Sequence, residues 1–236
     1  MTENGSGAPS GRPKPLTYAV GDIHGCSKLL QRLLSAIETH RAGRPYRLVF
    51  LGNYVDRGPD SASVIRILRE LQQRAPDAVI CLLGNHEELM LQACEGALGM
   101  LAWRENGGGA TLASYGVDDA ESLPHSVFRW LSSLPTVHED ARHYYVHAGF
   151  RPGRPGIDLD VKNRLWIREP FLSADYDFGK HIVHGHTPRR IGLPEVRSHR
   201  TNLDTDAVGG GNLTAGVFDE CLDLPVEFLQ ISHEAN

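Results

Sequence analysis

This sequence predicts an α/β fold in which two mixed β-sheets pack as a sandwich flanked by helices, and three observations carry that prediction. Strand and helix patterns alternate from Leu16 to Cys94, strand character vanishes from Glu95 to Pro135, and short apolar strands return beyond it, joined by Gly, Pro and Asp turns. Alternation of the first kind produces βαβ units, because parallel strands need a crossover long enough to hold a helix. A helical cap insertion over about 97–135 and a strand-rich second half then complete one domain, residues 16–236.

Taken in order, residues 1–15 (MTENGSGAPSGRPKP) are rich in Gly, Ser and Pro and contain no apolar h-region, so a disordered tail and no signal peptide are expected. LTYAVG, Leu16–Gly21, is a short apolar strand. In SKLLQRLLSAIETH, Ser27 stands where a helix cap belongs, and Leu29, Leu30, Leu33, Leu34 and Ile37 mark one helical face. The strand YRLVFLG, Tyr46–Gly52, precedes a helix from Ser61 with Val64, Ile65, Leu68 and Leu71 inward; it should end before Pro76. AVICLLG, Ala78–Gly84, is a third strand and leads into helical EELMLQAC. The insertion contains the run Gly107–Gly109 and a helix from Pro124; RHYYVHAG, HIVHG, SHRTNLDT, LTAGVFD and VEFLQIS read as strands.

Hydrophobic residues make up 41% of 236, enough for a sizeable core. A formal charge of −5 gives no electrostatic case for nucleic acid or an anionic membrane as partner. Cys26, Cys81, Cys94 and Cys221 show no CxxC spacing, and the first two adjoin apolar runs, as buried free thiols in a reducing compartment do. No apolar run is long enough to span a bilayer, and a cytoplasmic location is expected.

The chemistry gathers at strand ends. GDIHG supplies Asp22 and His24, whose two-residue spacing puts both side chains on one face of an extended backbone, although a turn Asp beside a surface His fits the same five residues. GNYVDRG supplies Asn53, Asp56 and Arg57; GNHE supplies Asn85 and His86; HAG and HGHT supply His147, His184 and His186. Ligands of open α/β sheets bind beyond the carboxyl ends of the strands, so five Gly-polar turns of this kind should converge. Three imidazoles, a carboxylate and two amides exceed the needs of one structural zinc and suit two adjacent cations. Arg57 and Arg168 are natural phosphate clamps, since a guanidinium makes two parallel hydrogen bonds to phosphate; alone, Arg168 is equally a surface ion-pair residue. Two cations and two arginines indicate a phosphate ester.

The set GDIHG, GNYVDRG, GNHE, HAG and GHT resembles the metallophosphoesterase signature of the phosphoprotein phosphatase family, in its compact bacterial and phage branch, over about Leu16 to Val217. The resemblance implies a calcineurin-like metallophosphoesterase fold, with Asp22 and His24 on one cation, Asn85, His147 and His186 on the other, and residue 53 between them. It implies two divalent cations, manganese first, with iron, zinc, nickel or cobalt as alternatives, spaced about 3–4 Å apart. A bridging hydroxide would attack phosphorus, His86 would act as general acid oriented by Asp56, and Arg57, Arg168 and Asn85 would bind the substrate. His184 has no ligand counterpart and is left structural.

Two departures stand out. The resemblance calls for aspartate at 53, whereas Asn53 offers one carbonyl oxygen, no charge, and an NH₂ that cannot face a cation. It reads as an engineered, weakened site, or else as a natural variant. In NLDTDAVGGG, Asp206 and Gly209 replace a glycine and an aromatic residue, which puts the loop's aromatic contribution to substrate binding in doubt; Asp204 is either a partner of a metal-bound His or a turn residue. The expected function is phosphomonoester hydrolysis on phosphoserine or phosphothreonine proteins, peptides or small molecules. Alternatives are symmetrical diadenosine tetraphosphate hydrolysis, with the cap excluding folded proteins, and a silent phospho-binding protein.

Overall fold

Leu16–Val20 (β1) is buried at every position, as a strand covered on both faces must be. The computed structural model describes residues 15–234, so of the expected tail, 1–15, all but Pro15 lies outside the described residues. β1 pairs in parallel with β2 (Tyr46–Phe50), and β2 with β3 (Val79–Cys81). The crossovers carry α1 (Ser27–Arg41) and α2 (Ser61–Arg74), which are the βαβ units that the alternation predicts. Antiparallel β9 (Asn212–Asp219) and β10 (Glu227–Ser232) extend this sheet in the order β10-β9-β1-β2-β3.

The second sheet holds β4 (Val137–Glu139), β5 (His143–Val146), β6 (His181–His184), β7 (Glu195–Val196) and β8 (Arg200–Asn202), in the order β4-β5-β6-β8-β7. Its centre, β5-β6-β8, is parallel. Period-two alternation explains the sandwich. Ala19, Val49, Leu51 and Phe218 of the first sheet and its flank meet Tyr145, Val183 and Leu203 between the sheets. Their neighbours Tyr18, Val20, Leu48, Phe50 and Val217 point the other way, into a helix-covered core. On the outer face of the second sheet, Tyr144, Val146 and Ile182 pack with Phe150, Phe171 and Phe178.

Between β3 and β4 the chain is helical: α3 (Asn85–Gln92), α4 (Ala97–Trp103), a π-turn at Arg104–Gly108, α5 (Gly109–Tyr115) and α6 (His125–Ser132). A last helix, α7 (Val161–Trp166), precedes Arg168. Three local expectations change. Ser27 is the first residue of α1 and not its cap; its hydroxyl donates to Asp60 (2.8 Å), whose carboxylate caps α2 by accepting from Ser63 N (3.1 Å). β3 ends at Cys81, short of Gly84, and α3 starts at Asn85, two residues early, so Asn85 and His86 lie in a helical first turn. The short β4, β7 and α7 carry too few residues to show a period.

Cys26 and Cys81 are buried and free, in keeping with the sequence. Among the described residues no helix is long and apolar enough to cross a membrane.

Candidate active site

The turns that follow β1, β2, β3, β5 and β6 meet at one edge of the sandwich, and their contacts are short. Asp22 Oδ1 accepts the backbone N–H of His186 (3.0 Å), and Asp22 Oδ2 accepts Asn53 Nδ2 (2.9 Å). Asn53 Oδ1 accepts the N–H of His86 (3.1 Å), and Asn85 Oδ1 lies 2.8 Å from His147 Nε2 and 3.2 Å from His186 Nδ1. The five turns are thus stitched to one another side chain by side chain. Glycines permit this closeness: a Cβ on Gly185 would fall 2.1 Å from Asp22 Oδ1, and Gly52 (φ 101°) would meet the backbone of Gly84 at 2.7 Å.

Among the described residues seven non-glycine residues have positive φ, and five of them are predicted site residues: His24 (45°), Asn53 (54°), Asp56 (73°), Arg57 (67°) and His186 (67°). The left-handed region is unfavourable for side chains with a Cβ and persists where surroundings over-determine it. Here the extended spacing expected for Asp22 and His24 is corrected. β1 stops at Val20, and a left-handed turn at His24, not strand geometry, brings His24 Nε2 to 4.0 Å from Asp22 Oδ2.

Glu87 over-determines the second turn. Fully buried, it accepts the N–H groups of Gly84 (3.0 Å), Asn53 (2.8 Å), Tyr54 (2.7 Å) and Val55 (3.2 Å). Asp56 is held similarly. Its carboxylate accepts His86 Nδ1 (2.7 Å), Thr111 Oγ1 (2.8 Å) and Trp103 Nε1 at both oxygens (2.9 and 3.0 Å). The cap segment therefore builds the pocket of Asp56. It also accepts Arg57 N at Gly107 O (3.2 Å). The glycine run follows from that packing: Gly107 (φ 103°) lies against Arg57, and a Cβ on Gly108 would enter the Trp103 ring at 2.5 Å. Sequence reasoning missed Glu87, Trp103 and Thr111. The signals were an acid at the third position of α3, where a capping carboxylate belongs, and a Trp and Thr framing the glycines.

Burial sets the protonation states. It pushes Asp22 and Asp56 up to about 7, the latter against hydrogen bonds from Thr111 and Trp103. It drives His86 and His147 down to about 3 and His186 to about 2, and His24 well below the usual range. The imidazoles are neutral, so each keeps a lone pair. Arg57 Nη1 lies 3.2 Å from His24 Nε2, and the Arg168 charge lowers both His147 and His186. His184 is structural: it contacts Gly185 O, Arg200 and the Phe171 ring.

Asp204 is a turn residue, accepting Asp206 N (3.1 Å) and making no hydrogen bond to a histidine among the described residues. Asp206 takes a left-handed conformation (φ 61°), and a Cβ on Gly209 would lie 2.5 Å from its carboxylate oxygens. A larger residue at 209 would therefore require the Asp206 side chain to move.

The family model of calcineurin-like phosphoesterases matches residues 16–211. The chain belongs to the calcineurin-like phosphoesterase family. It is 31% identical over 207 residues to the serine/threonine-protein phosphatase 1 of Salmonella typhimurium, covering 84% of this chain and 89% of that protein. It is 30% identical over 228 residues to the asymmetrical bis(5'-nucleosyl)-tetraphosphatase PrpE of Bacillus mycoides, covering 83% and 87%. A solved metallophosphoesterase from Sphaerobacter thermophilus superposes with a TM-score of 0.60 over 94% of this chain and 90% of that one, at 19% identity, which is a likeness of fold. Calcineurin-like phosphoesterases are hydrolases that use divalent metal ions.

The residues at this edge suit such ions unequally. His147 Nδ1 must donate to the Leu51 carbonyl (2.9 Å), so the Nε2 of this neutral ring carries a lone pair facing Asn85 Oδ1 at 2.8 Å. Two lone pairs converging there, with His186 Nδ1 3.2 Å from the same oxygen, are what a cation would relieve. Among the described residues no three His, Cys, Asp or Glu side chains form a metal-holding group.

Proposed function

We propose that this phosphoesterase hydrolyses phosphomonoesters, of phosphoserine or phosphothreonine peptides or of small molecules. The supporting observation is that the Asp56–His86 pair and Arg57 adjoin the cluster of Asp22, His24, Asn85, His147 and His186, with the Arg168 charge acting on His147 and His186. Divalent cations, manganese first, would be held by Asn85, His147 and His186, the place for a second lying between Asp22, His24 and residue 53. They would supply positive charge against the phosphoryl group and acidify a water.

The remaining roles belong to the chain. Arg57 and Arg168 bind phosphoryl oxygens bidentately, and Asn85, in the first turn of α3, adds a polar contact where the helix N-terminus favours an anion. His86 delivers a proton to the leaving oxygen. Asp56 fixes the His86 tautomer by accepting at Nδ1, which leaves Nε2 for the substrate. The cap, about 97–135, completes a single domain over 16–236 and selects the substrate, in a protein of the cytoplasm.

Dinucleoside polyphosphates are the second reading. It is favoured by the packing of the cap onto Asp56 and Arg57, which narrows access for a folded protein, and by the likeness to a tetraphosphatase. Initial rates with Mn2+ on a phosphoserine peptide and on diadenosine tetraphosphate, for the native chain and Asn53→Asp, test the proposal. Higher kcat/KM on the peptide supports the first reading and higher kcat/KM on the dinucleotide the second. Turnover of neither by either form leaves a silent phospho-binding protein.

A further inference from the structure

The two halves of the centre differ in how their lone pairs are met. In the half formed by Asn85, His147 and His186, Asn85 Oδ1 faces the lone pair of His147 Nε2 at 2.8 Å and lies 3.2 Å from His186 Nδ1. In the half formed by Asp22 and His24, the lone pairs are already answered by N–H groups. His24 Nδ1 donates to Val55 O (2.7 Å), so Nε2 is the acceptor. That Nε2 and Asp22 Oδ2 stand 4.0 Å apart, and the Asn53 NH₂ is directed at both, 2.9 Å from the carboxylate and 3.4 Å from the ring. Arg57 Nη1, at 3.2 Å, brings a second donor to the same ring nitrogen.

The orientation of the amide is fixed by its surroundings. Its Oδ1 accepts the N–H of His86 at 3.1 Å. Turned over, the oxygen would face the Asp22 carboxylate and the NH₂ would face an N–H, so both contacts would become repulsive. The backbone cannot shift to relieve this. Asn53 N is bound to Glu87, and Asn53 O accepts from both Ile23 N (3.0 Å) and His24 N (2.8 Å).

We propose that the Asn53 amide closes the Asp22–His24 half with its own NH₂, so that the protein takes one divalent cation, at Asn85, His147 and His186, where an aspartate at 53 would let it take two. The inference rests on the reading of these turns as a cation centre. Asn53 is thereby a determinant of stoichiometry. It removes a shared negative charge that would offset the repulsion between two dications, and it fills the gap between two ligands with a donor.

The test is a calorimetric titration of the metal-stripped protein with Mn2+, alongside low-temperature EPR, for the native chain, Asn53→Asp, His24→Ala and His186→Ala. The expected result is one tight equivalent and an uncoupled manganese signal for the native chain, and two equivalents with an exchange-coupled signal for Asn53→Asp. His24→Ala should bind as the native chain does. His186→Ala should lose affinity at least about 100-fold, beyond the 10–100-fold typical of losing a ligand's hydrogen-bond partner. The alanine variants carry the test if the aspartate variant does not fold. Two tight equivalents with a coupled signal in the native chain, or equal losses in the two alanine variants, would overturn the inference while leaving the cation centre intact. No Mn2+ bound by any form would overturn the cation reading itself.

Discussion

Replacing Trp103 with phenylalanine isolates the link between the cap and the catalytic pair. The indole N–H donates to both oxygens of Asp56, at 2.9 and 3.0 Å, and among the described residues no other group reaches both. Phenylalanine keeps most of the buried ring against Gly108, so the main loss is one hydrogen bond to a buried carboxylate, about 1.5–3 kcal/mol. For a chain of this size that corresponds to a fall in Tm of about 3–12 °C. Urea midpoints of metal-free protein measure the stability. Kinetics with two substrates measure the function, because a carboxylate held by one donor fewer orients His86 less well. Turnover of an alkyl phosphate should fall about tenfold or more, and turnover of p-nitrophenyl phosphate, whose leaving group scarcely needs a proton, much less. A Trp103→Phe variant with an unchanged urea midpoint, or with equal losses on both substrates, would show that the indole does not position Asp56 and His86.

His86→Asn, in the Asn53→Asp background, should lower turnover of alkyl phosphates by about 10²–10⁴ with a smaller effect on p-nitrophenyl phosphate, as initial rates will show. Glu87→Gln exchanges an acceptor of four backbone N–H groups for an amide with one oxygen; it should cost on the order of 3 kcal/mol or more in urea unfolding, since it leaves buried donors unmet. Asp140, far from the site, gives a pH dependence. Burial alone would raise its pKa, but the His143 hydrogen bond and charge, Arg142 N and Tyr145 hold it well below the usual range. Its stabilisation is therefore full above its unfolded pKa of about 3.9 and fades as pH falls below it, so between about pH 5 and 2 the native chain should lose more stability than Asp140→Asn, read from urea midpoints across that range.

What the sequence revealed of this molecule depended on repetition. Five Gly-polar turns after apolar runs located the site, because parallel strands in a sandwich deliver their carboxyl ends to one edge. The helical faces of α1 and α2 were legible from their leucines, isoleucines and valine. The left-handed backbone at Asn53, Asp56 and Arg57 was not, since it is imposed from outside the turn by Glu87 and by the cap. Trp103 and Thr111 were invisible for a related reason: they act 47 and 55 residues away from Asp56, through contacts made only once the cap has packed. Ser27 misled because a serine before a helical face has two uses, and here Asp60 is the capping residue and Ser27 its hydrogen-bond donor.

The proposed cation centre has its open half at Asn85, His147 and His186. Anomalous diffraction from crystals of the native chain soaked in Mn2+ tests it most directly. A strong peak is expected among Asn85 Oδ1, His147 and His186, with no comparable peak between Asp22 and His24 unless residue 53 is changed to aspartate. Manganese bound elsewhere, with those three side chains remote from any peak in both forms, would contradict it.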